Sequence, residues 1–541
     1  MAHPTKGKRI IMNRILKHIV CVALSFGSMC AVAAQTSRMQ APPERKEGEG
    51  PYSQLILRNI TIIEGTLAPP ISPVDIVIEG NRIKSIHLPG AVGSSAYSKD
   101  VPVLKPGGRE IDGTGMYVMP GLIDNHQHIA PQMEYEFKLN LAHGITTIRD
   151  PGTTSGLAFM NEIKEKSAKN LITAPKIKTY LRFGYYPDGS FNLPTTEKAA
   201  REWIRMAKAA GADGIKDAGF SPVVIKAALD EAKKVGLRSM IHHRQTMVAR
   251  WNALDSARAG VTQMEHWYGL PEAMFTDRTV QGYSTDFNYQ NEQMRFGQGG
   301  TLYTQGAAPY SDKWNAVLDE MVGLGFTLDP TMVVYEKLRD YMRARTQEWF
   351  DLYAMPAAFE KSLVPSKEHH GASQHNWSTK NEVDWRKQFQ LWQTFINEFK
   401  NRGGRVTTGS DEAMLFGFSL IRELELLQEA GFAPLEVVRA ATLSGAEALG
   451  IDNDTGSVEI GKLADLLIVD QNPLENFKVL YGTGSIKLMD DGSVQRIGGV
   501  KYTIKEGVIF DAKKLLADVK TMVDAEKART GKKIVQPGLA Q

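Results

Sequence analysis

Near residue 55 the chain begins to alternate apolar and polar positions in short runs, LILRNITIIEG and VDIVIEGNRIKSIHL, with a turn at Gly80-Asn81. A period of two buries one face of each run, so the pattern predicts antiparallel strands of a small sheet. The same texture returns between 456 and 511, in GSVEIGKLADLLIVD and KYTIKEGVIFD. Two β-rich ends enclosing a different middle predict one discontinuous β-domain, residues 53–117 with 455–512. In the middle, 118–454, eight β-like runs alternate with helical stretches: YVMPGLIDNHQHI, GITTIRD, KIKTYLRF, GIKDA, LRSMIHH, VTQMEH, FTLDPTMVV and RVTTGSD. That order predicts an α/β chain built on a (β/α)8 TIM barrel, with the chain ends forming a small β-sandwich. No Gly-x-Gly-x-x-Gly turn follows the first run, which disfavours a doubly wound open sheet.

Two stretches exceed ordinary loop length, 268–311 and 340–381, and insertions of that size on a barrel serve as lids or interfaces. Residues 35–52 are polar and rich in Pro, Glu and Gly, and read as a flexible leader. After Ala512 a helix and a polar tail, 513–541, are expected.

Residues 1–34 have the order of a secretory signal: Arg14 and Lys17, an apolar run from about Ile19, then Ala31-Val32-Ala33-Ala34. The expectation is a periplasmic or secreted protein with no membrane span after cleavage. Both cysteines, Cys21 and Cys30, fall inside that signal. Any metal site in the mature chain must then use nitrogen and oxygen donors. The 64 Lys and Arg against 61 Asp and Glu give a net charge of +3, which does not favour nucleic acid as a partner.

His126 and His128 stand at i and i+2, and in a strand that spacing points both imidazoles one way. Further ligand types recur at the ends of later predicted strands: Lys216 in GADGIKDAG, His242 in GLRSMIHHR, His266 in VTQMEHW and Asp411 in TTGSD. On a parallel barrel those ends share one rim, so six side chains would face one cavity. Imidazoles with carboxylates suit Zn, Mn, Fe or Ni. A lysine ammonium cannot ligate, so Lys216 must be neutral or converted, and reaction with CO2 to a carbamate would supply two oxygens.

His126-x-His128, Lys216, His242, His266 and Asp411, in that order and strand context, resemble the amidohydrolase superfamily of metal-dependent hydrolases, in the branch with a carboxylated lysine. The resemblance runs from about Leu55 to Asp511 and includes PGLIDNHQH, ATLSGAEALG and GSVEIGKLADLLIVD. Within the superfamily the chain is similar to the imidazolonepropionase-like and Xaa-Pro dipeptidase-like group. The resemblance implies two divalent metal ions, with zinc expected, bridged by carboxylated Lys216 and a hydroxide. His126, His128 and Asp411 would hold one ion and His242 and His266 the other, with Asp411 also the catalytic proton carrier. It further implies cleavage of a C–N amide bond in a small-molecule substrate, a dipeptide or N-acyl amino acid, by a homo-oligomer. Cyclic amides or lactones are the alternative substrates, and a non-catalytic metal-binding barrel is the alternative of another kind.

Arg182, Tyr185 and Tyr186, after the third predicted strand, are candidate substrate contacts, since an Arg fork suits a carboxylate; a loop stiffened by Pro187 is the plainer reading. His243 competes with His242, and the register of GLRSMIHHR favours His242. Family members often place a second His two residues beyond that ligand, where this chain has Arg244. His369, His370 and His375 read as polar lid residues, and His143 as a cation at a helix end.

Overall fold

The computed structural model describes residues 39–88, 98–153, 155–217, 221–364, 374–411 and 415–534; the expected signal, 1–34, lies outside them, as do His369 and His370. The chain opens with β1 (Leu55–Ile62), β2 (Ile71–Glu79), β3 (Arg82–His87), β4 (Arg109–Asp112) and β5 (Tyr117–Pro120). The barrel strands follow as β6 (Leu122–Asp124), β7 (Ile145–Thr153), β8 (Lys176–Arg182), β9 (Gly214–Asp217), β10 (Arg238–His242), β11 (Gln263–Glu265), β12 (Thr327–Asp329) and β13 (Arg405–Val406). Last come β14 (Leu466–Val469), the hairpin β15 (Ser485–Leu488) and β16 (Val494–Ile497), β17 (Val500–Lys505) and β18 (Val508–Asp511). Among the described residues no helix is long and apolar enough to cross a membrane.

β6 to β13 pair in sequence order as one parallel sheet of eight. The seam is bridged where the Asn125 N–H donates to the Thr408 carbonyl at 2.8 Å and the Thr408 hydroxyl donates to the Ile123 carbonyl at 3.2 Å. Helices cover the outside. The helix Glu197–Ala209 shows why: Ala200, Trp203, Ile204 and Ala207, at helical spacing, are buried against the sheet while its charged positions face water.

The run YVMPGLID, predicted as one strand, is two strands in different sheets. Tyr117–Pro120 pairs antiparallel with β14, whereas Leu122–Asp124 pairs with β7. The switch is Gly121, where a Cβ would sit 2.2 Å from the Thr146 hydroxyl oxygen. The β5–β14 ladder joins the two ends of the chain in one sheet, ordered β18-β17-β14-β5-β1-β2-β3 with β4 beside β1. That sheet encloses one apolar core, with Ile60, Ile76, Val118, Ile468 and Ile504 among its members.

The stretch before β1, expected from its composition to be a flexible leader, makes specific contacts with the rest of the chain in its described part. The Glu49 N–H donates to the Ile509 carbonyl and the Glu49 carbonyl accepts the Ile509 N–H, both at 2.9 Å, which adds this residue to the β18 edge. Glu47 pairs with Lys138 at 2.8 Å, and the Arg45 guanidinium reaches the Asn170 carbonyl at 2.8 Å. After β18 the helix Ala512–Thr530 follows, its first turn capped by Asp511.

Candidate metal centre

The six residues singled out by type and order lie at the C-terminal ends of the barrel strands. Lys216 lies within β9, His242 closes β10, His266 follows β11 directly, and Asp411 comes shortly after β13. His126 and His128 are not in a strand, because β6 ends at Asp124. A carboxylate holds them in place. Asp124 accepts the His126 N–H at 3.1 Å, and also the Ser410 N–H at 3.0 Å and the Ser410 hydroxyl at 2.6 Å. The His126 carbonyl in turn accepts the N–H groups of Ser410 and Asp411 at 3.1 and 2.6 Å. The first and last strands are thus laced together at the point where His126 must meet Asp411. Gly409 permits the approach, since a Cβ there would stand 2.4 Å from Asp329 Oδ1 and 2.6 Å from His126 Cβ.

The side chains converge. His126 Nε2 is 3.0 Å, His128 Nε2 3.6 Å and His266 Nε2 3.6 Å from the Asp411 carboxylate. The His242 and His266 rings are 4.8 Å apart, and those of His126 and His266 5.1 Å. Among the described residues, two groups have ligand atoms within 4.8 Å of one another: His126, His266 and Asp411, and His242, Glu265 and His266. Burial first, then the Lys216 charge, holds the His126 imidazole well below its usual range, and burial also leads for His128, His242 and His266. Neutral imidazole is the form that binds a metal. Both His126 ring nitrogens are buried without a hydrogen-bond partner, which a protein tolerates where a cation is the intended partner. The donor set fits one or more divalent cations.

Glu265 was not among the expected ligands. Alternation along a strand should send it and His266 to opposite faces, but His266 has φ of 64° and the alternation breaks there. Both side chains then reach the centre: Glu265 lies 3.5 Å from His126 Nδ1 and 2.7 Å from Lys216 Nζ. The His266 ring is fixed from behind by the Thr331 hydroxyl, 2.5 Å from Nδ1, a support typical of metal-binding imidazoles. Beneath the centre, Arg149 is fully buried, 3.6 Å from Asp329 and 3.1 Å from the Gln263 side-chain oxygen. Burial raises Asp329 to about 8 and Asp150, 4.0 Å from His128, to about 7.

A cavity of about 520 Å³ opens on the centre, with His128, Lys216, His242, His266 and Asp411 on its wall. Arg182 also lines it. Tyr185 and Tyr186 do not; they pack on the apolar cluster of Trp203 and Phe183, with the Tyr185 ring 5.0 Å from Phe191. His243 turns to Ser256, 2.8 Å away, leaving His242 to face His266. His143 does cap a helix, but it is buried 4.1 Å from the Phe418 ring, and burial lowers it to about 4, so it is neutral and not the expected cation. Both long insertions reach the cavity, the first through Tyr289 and Arg295, the second through Lys361 and Ser362. They also touch each other, where the Trp377 indole N–H donates to the Gln293 carbonyl at 3.0 Å.

A barrel of eight parallel strands with imidazoles and a carboxylate gathered at its C-terminal rim defines an α/β-barrel protein with a donor set suited to divalent cations. The amidohydrolase family profile matches residues 117–282 and 393–494. The chain belongs to the amidohydrolase superfamily. It is 39% identical over 54 residues to a 5'-deoxyadenosine deaminase of Methanobrevibacter smithii, covering 10% of this chain and 12% of that one. It is 26% identical over 209 residues to a dihydroorotase of Desulforapulum autotrophicum, 37% of this chain and 45% of that one. The chain therefore spans less than half the length of these curated relatives. In fold it is similar to a Xaa-Pro dipeptidase with methionine bound in the active site, at a TM-score of 0.54 and 18% identity, over 85% of this chain and all of the other (100%).

Proposed function

We propose that this chain is a metal-dependent hydrolase of C–N amide bonds, and that its substrates are dipeptides or N-acyl amino acids. The observation that carries this reading is the meeting of His128, His242 and His266 with Asp411 on the wall of one cavity, with the buried His126 ring 3.0 Å from the same carboxylate. His126, His128 and Asp411 would hold one divalent cation and His242 and His266 another, with zinc the expected metal and Lys216, once carboxylated, the shared ligand. Such cations, when bound, acidify a water molecule and polarise a carbonyl.

The chain's own residues supply the rest. Asp411 stands among His126, His128 and His266 with a fifth of its side chain open to the cavity, so it can take a proton from the attacking water and return it to the leaving nitrogen. The Arg182 fork suits the free carboxylate of an amino-acid product. The methionine found in the structurally similar dipeptidase is a ligand of that chemistry.

Cyclic amides are a second reading on the same centre, favoured by the similarity to a dihydroorotase. Formation of amine or acid by zinc-loaded protein, measured over dipeptides, N-acyl amino acids, cyclic amides and lactones, tests the choice. Cleavage of free-carboxylate amides supports the first reading, and cleavage confined to the cyclic substrates replaces it.

A further inference from the structure

The cavity wall carries more positive charge than one product carboxylate would use. Arg182, Arg244, Arg295, Lys337 and Lys361 all line it, and Asp411 is the only acid among the described residues that line it. These cations are not equivalent. Arg295 is paired with Glu292 at 2.9 Å and lies over the Tyr289 and Phe296 rings, and Lys361 is exposed. Arg182 and Lys337 make no ion pair among the described residues.

Lys337 is held in place by its helix, Met332–Arg339, which follows β12. The Glu423 carboxylate accepts the N–H groups of Met332 and Val333 at 2.9 and 2.8 Å, fixing the first turn. On another face Glu336 is bound by Arg422 at 2.6 Å and Arg339 at 3.1 Å. The face left toward the cavity is Val334, Lys337 and Leu338, at i, i+3 and i+4, where Lys337 is the sole charge on an apolar strip. An ammonium held there without a counter-ion is costly, and burial lowers its pKa. The acids that act on it are Asp411, committed to the metal centre, and Glu292, already paired with Arg295.

Position decides what such a cation would bind. Arg182 ends β8, the third barrel strand, and Lys337 follows β12, the seventh. Four strands apart in a ring of eight is opposite, so the metal-ligand cluster lies between them.

We propose that Lys337 forms a second anion subsite, across the centre from Arg182, and that the preferred substrate is an amide with a carboxylate on each side of the scissile bond. This rests on the amide-hydrolase reading for the reaction but not for the binding. Substrates of the class are N-acyl amino acids whose acyl group ends in a second carboxylate. A substrate anchored at both ends has its central carbonyl placed over the cluster, which is orientation gained from groups remote from the reaction.

The test has a kinetic and a binding arm, both on zinc-loaded full chain. N-succinylglycine and N-butanoylglycine differ by one carboxylate against one methyl group, and kcat/KM is expected to favour the first by at least about tenfold. Glutaryl and adipoyl homologues set the spacing. Lys337→Met should lower kcat/KM for the best diacid about tenfold more than for N-butanoylglycine, and Lys337→Arg should restore part of the gap. For binding, the unreactive ketone 4-oxoheptanedioate, titrated by calorimetry, should bind about tenfold tighter than 4-oxoheptanoate, with the advantage lost in Lys337→Met and weakened by salt.

Equal affinity for the two ketones, or a diacid preference that survives Lys337→Met, overturns the subsite. Hydrolysis without preference leaves the amide-hydrolase reading standing and removes the subsite. Selective diacid binding without hydrolysis of either amide does the reverse.

Discussion

Lys216 Nζ lies 2.7 Å from a carboxylate oxygen of Glu265, which is fully buried, while the lysine is nearly so and meets the cavity. This ion pair competes with carboxylation of the lysine, because a carbamate needs the neutral amine and would set a second negative charge against Glu265. Divalent cations would relieve that repulsion, so metal loading and lysine modification should be coupled. Lys216→Ala is expected to lower metal content together with activity by about 10–100-fold, the range for loss of a supporting group, with partial rescue by short carboxylic acids. Full activity in this variant, measured beside its metal content, removes the bridge from the account.

Asp124 touches no predicted ligand atom, yet it joins the His126 backbone to Ser410. Asp124→Ala should loosen the pairing of His126 with Asp411 and weaken zinc binding by about 10–100-fold. Competition with a chromophoric chelator reads this directly. Unchanged affinity means that the seam holds without the carboxylate.

Gly409 has room for no side chain beside Asp329 and His126. Gly409→Ala should cost about 1–3 kcal/mol in urea unfolding through overpacking, and should also reduce metal content because the displaced group is a ligand. A stable variant with normal metal content contradicts this.

His143 gives a pH dependence apart from the centre. Its folded pKa is lowered to about 4 from 6.5, so the unfolded chain takes up the proton first as pH falls. Its contribution is complete above pH 6.5 and is lost as pH drops toward 4, by up to about 3 kcal/mol. The difference in unfolding free energy between native chain and His143→Gln should shrink across that window. A constant difference would mean that the ring is already charged, or already exposed, at neutral pH.

The ligand types and their order were legible because parallel strands bring all their C-terminal ends to one rim, so residues such as Lys216, His242 and His266 meet whatever the intervening loops do. What stayed hidden depends on backbone detail. Glu265 enters the centre through the left-handed conformation of His266, and Thr331, which supports His266, is also left-handed at φ 48°. No hydrophobic period records either. The run around Gly121 has a continuous strand pattern, and only the three-dimensional closeness of Thr146 shows that it passes from one sheet to another. The leader's polarity suggests flexibility, and composition does not record that its polar groups are partners for Ile509, Lys138 and Asn170. Tyr185 and Tyr186 follow a strand end as a substrate loop would, and their rings were claimed by packing beside Trp203.

The proposed function requires that the rim gather the ligands of two divalent cations. Elemental analysis of chelator-treated protein reloaded with zinc tests it most directly, with His126→Ala and His242→Ala run in parallel. The account predicts about two equivalents bound in the native chain and a loss in each variant. Fewer than one equivalent in the native chain, or retention of both in either variant, contradicts it.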